Sequence, residues 1–506
     1  MEKNKHNEFD VIIIGGGATG AGTARDCSLR GLKVLLVERN DIATGATGRN
    51  HGLLHSGARY AVTDTESASE CIKENKILRR IAKGCVEQTE GLFITLPEDD
   101  LAYQAKFVES CSKAGIKAKV IDPKEAIAME PAVNPDLIGA VIVPDGAVDP
   151  FKLTAANMTD AKIHGAKVLT YSEVIEVIKE GNTVKGVKIR NKRTGDVDTF
   201  YAPVTVNAGG IWGQGIAEMA GASITMFPAK GSLLIFGHRV NNIVINRCRK
   251  PANADILVPG ETICLIGTTS DRVPLDQVDK IRVTPEEVKI LLEEGQKLAP
   301  SLAQTRIIRA YCGVRPLVAA DNDPSGRNIS RGIVLLDHET RDGISGFITI
   351  TGGKLMTYRL MAEWATDLVC RKLGVHKGCV TASRPLPGSE DRAEKPARPL
   401  SDKDESLICE CEKVTLQKAE NAIDNLQVTN MVDLRRRTRL GMGTCQGELC
   451  ACRGASLLAR KKENPTKAKE DLKAFMNERW KGIYPICWGD SLRENEYTQW
   501  IYSHEI

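Results

Sequence analysis

The sequence predicts an α/β protein. A Rossmann-like nucleotide-binding domain, assembled from separate pieces of chain, is interleaved with a mixed-sheet domain and followed by a small four-cysteine domain. Three observations carry this reading. FDVIIIGGGATGAGTARDCSLRGLKVLLVERN reads as buried strand, glycine turn, helix and second buried strand, a βαβ unit. The same strand, glycine turn and helix pattern returns twice, in APVTVNAGGIWGQGIAEMA and FITITGGKLMTYRLMAEWATDLVCRKLG. Cys409-x-Cys411 and Cys445-x4-Cys450 stand together after a stretch rich in proline and charge.

In chain order, residues 8–75 form the first part of the nucleotide-binding domain and 76–145 a largely helical substrate-side insertion. Residues 146–225 are its second part, in which GAKVLTYSEVIEVIKEGNTVKGVKIRN has the strand-length apolar runs of a β-meander. The β-rich segment 226–340, with KGSLLIF, TICLIGTTS and GIVLLD around the helical TPEEVKILLEEGQKLAP, is the substrate domain; 341–378 is the third nucleotide-binding part. Residues 379–406 read as a linker, 407–463 as the cysteine module and 464–506 as an aromatic tail holding Trp480, Trp488 and Trp500.

Composition narrows the function class. At 506 residues the chain is about three times the usual domain length of roughly 150. Its 69 basic and 65 acidic side chains are too evenly balanced for a dedicated nucleic-acid binder. No apolar run approaches the roughly 18–20 residues of a membrane-spanning helix, and MEKNKHNEFD lacks the apolar stretch of a signal peptide, so a cytoplasmic location is expected. Eleven of the fifteen cysteines are scattered like reduced intracellular thiols.

Gly15-x-Gly17-x-x-Gly20 lies between a strand and a helix, with Glu38 closing the second strand and Arg39 beside it. Such glycines let a turn and helix N-terminus approach a pyrophosphate, and Glu38 can accept hydrogen bonds from a ribose diol. The small, hydroxylated stretch 41–52, with Thr44, Thr47 and Gly48, can lie against a flavin ring, which favours FAD over NAD. This set resembles the glucose-oxidase/D-amino-acid-oxidase type of flavoprotein. The resemblance implies that the meander and the late turn Gly352-Gly353 complete the FAD site.

Within that superfamily, LLHSGARY, AKGSLLIF, LIGTTS, YCGVRPLV and ITGGKLMTYR resemble FAD-dependent glycerol-3-phosphate dehydrogenases. The resemblance implies a substrate site lined by Arg59, Tyr60, Arg315, Arg331 and Lys354, with Arg327 competing with Arg331. Arginine supports this physically, because a phosphate dianion wants several forked donors. Oxidising a secondary alcohol also needs a base within reach of the hydroxyl. His55 is the first candidate and His51 the second; Lys354 or Arg315 can instead stabilise the developing alkoxide.

Four thiolates suit zinc or an iron-sulfur cluster, and the C-x-C start disfavours most zinc ribbons. ICECEKVT followed by LRRRTRLGMGTCQGELC resembles the bacterioferritin-associated-ferredoxin-like [2Fe-2S] domain, which implies Cys409, Cys411, Cys445 and Cys450 as ligands, with Cys452 leaving the fourth position open. Arg435-Arg436-Arg437 reads as a docking patch for an acidic partner, a tuner of the cluster, or a solvated helix face.

Together these imply oxidation of sn-glycerol 3-phosphate to dihydroxyacetone phosphate, with electrons relayed singly through the cluster. The resemblance further implies companion iron-sulfur subunits, a quinone as indirect acceptor, anaerobic respiration, and peripheral attachment to the inner face of the cell membrane. Two alternatives stand beside it: a related dehydrogenase for a 2-hydroxy acid or amino acid, and a non-catalytic electron-transfer module.

Overall fold

A computed structural model describes residues 7–318, 332–389 and 406–504. Val11–Ile14 and Val34–Val37 are apolar throughout and buried throughout, as strands of a parallel sheet covered on both faces must be. They occupy the middle of a six-stranded sheet in the order Ile333–Asp337, Phe347–Gly352, Val204–Asn207, Val11–Ile14, Val34–Val37, Lys167–Leu169. All neighbours are parallel except the first pair. Helix Ala18–Leu29 is built from small residues, which lets Pro150–Ile163 and Tyr358–Leu373 pack closely along it. A Cβ on Gly22 would stand only 2.9 Å from the Tyr358 ring. Three distant stretches of chain thereby share one core.

A second, nine-stranded sheet is mixed. Its spine is the antiparallel pair Met226–Phe236 and Ile307–Val318, which sets Ala229 opposite Arg315 and Gly231 opposite Gly313. The segment expected as an insertion supplies strands Gly91–Thr95, Lys119–Ile121 and Gly139–Val143 to this same sheet. The meander Ser172–Glu180, Thr183–Asn191, Val197–Tyr201 forms a separate antiparallel sheet.

One assignment needs correction. Ile333–Asp337, placed by sequence in the substrate domain, is the antiparallel edge of the nucleotide sheet. A four-residue apolar run, here Ile333 to Leu336, carries no mark of the sheet it joins, and the strand that follows it in sequence captures it. The aromatic tail packs on its own chain through its first helix. Leu472, Phe475 and Met476 of helix Pro465–Ile483 are buried in one core with Ile408, Leu434, Leu440 and Leu457, so this helix belongs to the cysteine module. Trp480 is half-buried there, while Trp488 and Trp500 on the following turn and helix remain exposed.

The module sits on the body formed by the two large sheets through buried charge. Arg437 gives Asp41 two hydrogen bonds of 2.6 and 3.0 Å, and Arg436 adds a third of 3.1 Å. Arg439 joins Asp149 at 3.2 Å to Glu412 at 2.6 Å. The Tyr171 hydroxyl donates to Asp433 and accepts from Asn430. The arginine run is thus neither a solvated face nor a patch for another protein: two of its members bind an acid of their own chain.

Burial alone would push the Asp41 carboxyl up, but the hydrogen bonds and charge of Arg437, with Arg436, hold it below its ordinary value. A depressed folded-state pKa gives stability that is fully present above the unfolded value of about 3.9 and lost as pH falls through the folded value. Docking should therefore be unchanged between pH 5 and 8 and weaken only in acid. Asp41→Asn, which removes the paired carboxylate from the buried Arg437 guanidinium, should cost about 3–5 kcal/mol in chemical denaturation at neutral pH.

Candidate functional site

A cavity of about 1010 Å³ runs from the first glycine turn to the large sheet. At its nucleotide end Gly15 adopts φ 116°, and Gly20 lies so close beneath it that a Cβ would stand 1.9 Å from the Gly15 carbonyl oxygen. Only glycines permit this approach, which brings the helix N-terminus to the cavity wall. Gly16 N–H donates to Glu38 Oε2 at 2.7 Å, and Asn40 N–H donates to Oε1 at 2.8 Å. Burial raises the Glu38 carboxyl, and these two donors oppose that rise. Thr47 Oγ1 accepts from the N–H of Ala18, the first helical residue, and Thr44 lines the same wall. The Arg39 guanidinium lies over the Trp212 ring at 4.3 Å and pairs with Asp279 at 2.7 Å.

Not every expected contact is made. Gly20 acts from beneath by permitting the turn, and Gly48 faces a neighbouring cavity, where a Cβ would meet the Phe151 ring at 2.6 Å. Gly352 and Gly353, both at positive φ, line the far end beside Lys354.

At that far end His51, His55, Arg59, Tyr60, Arg315 and Lys354 share the cavity. The Lys354 ammonium lies 4.7 Å from the centre of the Tyr60 ring, which in turn lies 5.4 Å from the His55 ring. Arg315 is held by neutral acceptors, among them the carbonyls of Lys230 at 3.2 Å and Thr269 at 3.0 Å and the Thr268 hydroxyl. Gly231 makes room for it, since a Cβ there would stand 2.6 Å from Arg315 Nη2. Arg59 is partly committed elsewhere: its Nη2 pairs with buried Asp255 at 2.5 Å, and its buried Nη1 has no hydrogen-bond partner among the described residues. Arg327 and Arg331 lie outside the described residues.

In the cysteine module the thiols stand as pairs. Cys411 Sγ is 3.8 Å from Cys445 Sγ, and Cys409 shares a hydrogen bond with Cys450. That bond, with the backbone N–H groups of Gly441 and Glu412, draws Cys409 down to about 6, while the shared proton and burial push Cys450 up. Cys452 is turned toward the Tyr502 hydroxyl instead. Among the described residues no three ligating side chains converge as at a single-ion site.

Residues 10–359 match the family model "FAD dependent oxidoreductase", and residues 407–460 match "BFD-like [2Fe-2S] binding domain". The A subunit of the anaerobic glycerol-3-phosphate dehydrogenase of Escherichia coli K12 is 64% identical over 99% of this chain and 97% of its own. The Haemophilus influenzae protein of the same name is 63% identical over 98% and 92%. The chain belongs to the family of anaerobic glycerol-3-phosphate dehydrogenase A subunits. The corresponding A1 subunit of Haloferax volcanii is 42% identical over 97% of this chain and 90% of its own. The crystal structure of a Bacillus halodurans glycerol-3-phosphate dehydrogenase with FAD has the same fold, with a TM-score of 0.69 at 21% identity over 96% and 97% of the two chains.

This family is flavin-dependent, and the residues present fit FAD. The cavity joins an acid-anchored glycine turn to the half-buried indole of Trp212, whose buried Nε1 has no hydrogen-bond partner among the described residues. The all-thiol set of the module likewise fits [2Fe-2S]. Sequence reasoning did not single out Trp212, Arg49 or Lys250, which also line the cavity. Trp212 follows a glycine turn that was legible as a turn, but nothing local says that its ring faces the nucleotide strand.

Gly20→Ala should yield protein without bound FAD, seen as loss of the flavin absorbance, because the methyl group and the Gly15 carbonyl cannot both be accommodated. In the module, Cys450→Ser should lower iron and sulfide content and Cys452→Ser should leave both unchanged.

Proposed function

We propose that the chain oxidises sn-glycerol 3-phosphate to dihydroxyacetone phosphate and passes the electrons through its [2Fe-2S] module to companion subunits and, through them, to a quinone pool in anaerobic respiration. The observation that carries this reading is one cavity, lined by Arg315, Lys354 and Arg59, that continues beyond a dinucleotide turn. A small phosphorylated alcohol matches that charge, and a carboxylate substrate would need fewer donors. Membrane contact is assigned to the companion subunits; among the described residues no helix is long and apolar enough to cross a bilayer.

The reaction removes a proton from the C2 hydroxyl and a hydride equivalent from C2. FAD, when bound, supplies the two-electron acceptor, and the [2Fe-2S] cluster supplies one-electron relay. Arg315 and Lys354 hold the phosphate and orient C2. Arg59, half-neutralised by Asp255, adds a directional N–H more than a charge. The proton goes to His55. Its rival His51 accepts the Leu53 N–H at Nδ1, at 3.2 Å, so in the neutral ring its other nitrogen carries the proton and cannot take a second from substrate. His55, buried against Tyr60, is shielded from bulk water.

Anaerobic addition of sn-glycerol 3-phosphate should bleach the flavin, whereas lactate and amino acids should not. No bleaching where dithionite succeeds would overturn the reading. Arg315→Met should raise the substrate concentration needed for half-maximal bleaching about 10–100-fold, the loss of one charge-assisted contact of about 1.5–3 kcal/mol. His55→Asn should slow bleaching about 10²–10⁴-fold and remove its rise with pH; an unchanged rate across pH would dismiss His55 as the base.

A further inference from the structure

The stretch that walls the FAD cavity has a second side. A cavity of about 760 Å³ lies behind it. Thr44, Arg49, Asn50 and His51 line both cavities, so a single layer of chain separates them. Arg435, Arg436, Arg439 and Met442 of the cysteine module form part of the opposite wall. The stretch begins at Asp41, the acid that receives Arg437 and Arg436. Its carbonyl at Asn50 accepts from the hydroxyl of half-buried Tyr311 at 2.8 Å, and Tyr311 lines the second cavity as well.

The ligand loops themselves touch the body. Thr444, next to Cys445, donates to the Gly237 carbonyl at 2.7 Å. Glu412, next to Cys411, accepts from Thr262 at 2.8 Å and from Arg439 at 2.6 Å. The Cys411/Cys445 side of the module is therefore fastened to the same body whose cavity holds the glycine turn. By contrast, Leu449 beside Cys450 is 63% exposed.

We propose that Arg437, acting through Asp41, is the positioning residue that holds the module at a fixed distance from the wall Thr44–His51, across the second cavity, so that electrons pass from FAD to the cluster within one chain. This rests on the proposed reaction only for the source of electrons. Each alcohol oxidised delivers two electrons to the flavin. Each cluster accepts one of them, taking its iron pair from diferric to the mixed-valence state, and the second follows once a one-electron carrier among the companion subunits has reoxidised the cluster. Electron tunnelling falls steeply with distance, so a module released from the wall loses rate even with its cluster intact.

The test uses the full-length, FAD- and cluster-loaded chain in anaerobic rapid mixing, with flavin bleaching followed optically and cluster reduction by freeze-quench electron paramagnetic resonance. In the wild type the first-order rate of cluster reduction should be independent of protein concentration over a hundredfold range. Proportionality to concentration would mean transfer between chains and overturn the proposal. Arg437→Met should keep flavin bleaching within twofold and the resonance line shape unchanged, yet slow cluster reduction at least tenfold; unslowed reduction would overturn the positioning role. If Arg437→Met does not assemble a cluster, Asp41→Asn is used in its place with the same two outcomes, and the wild-type concentration series decides the intrachain route by itself. Flash photoreduction of the flavin repeats the series without glycerol 3-phosphate. Failure of substrate to bleach the flavin therefore counts against the reaction, and failure of the intrachain kinetics counts against the route.

Discussion

The approach of Gly20 to the Gly15 carbonyl governs much of this molecule. It fixes helix Ala18–Leu29 against the first strand at a distance no side chain tolerates, and so aims the helix N-terminus at the nucleotide end of the cavity. The small residues along the same helix then receive Pro150–Ile163 and Tyr358–Leu373. The second of these helices follows Lys354 by one short turn, Leu355–Thr357, so packing at the nucleotide turn also places a cation at the far end of the cavity. Distant parts of the site are joined by one close contact between backbones.

Charge is handled differently in the two halves of the site. At the far end of the cavity, carbonyl and hydroxyl acceptors among the described residues orient the Arg315 guanidinium. Where the module docks, arginines meet buried carboxylates directly, as in Asp41 with Arg437 and Asp149 with Arg439. Buried ion pairs of this kind add little net stability over apolar packing but penalise every misplaced arrangement. That suits an interface whose purpose is a fixed geometry between two electron carriers.

The short-range features of the fold were legible in the sequence. Strands buried on both faces, the glycine turn, Glu38 and the paired cysteines are all set by neighbours within some forty residues or fewer. The features that were misread depend on partners far away. Ile333–Asp337 could have joined either sheet, because its apolar run is identical in both settings. Arg435-Arg436-Arg437 could be read as an exposed face because Asp41 lies almost four hundred residues earlier. Helix Pro465–Ile483 looked like a separate tail because its apolar face, Leu472, Phe475 and Met476, gives no indication of what it covers.

By itself the sequence determined that this chain carries a dinucleotide turn and four cysteines grouped in two short pairs, because those properties depend on residue type and local spacing; the cations expected for a phosphate came from the family resemblance. Tertiary structure decided which of these groups act together. It brought His55, Tyr60, Arg315 and Lys354 to one end of a cavity, gave Arg59 a carboxylate partner, and fastened the cysteine module to the reverse side of the flavin wall. Contacts between residues hundreds of positions apart depend on how helices and sheets pack, and no local pattern records that packing.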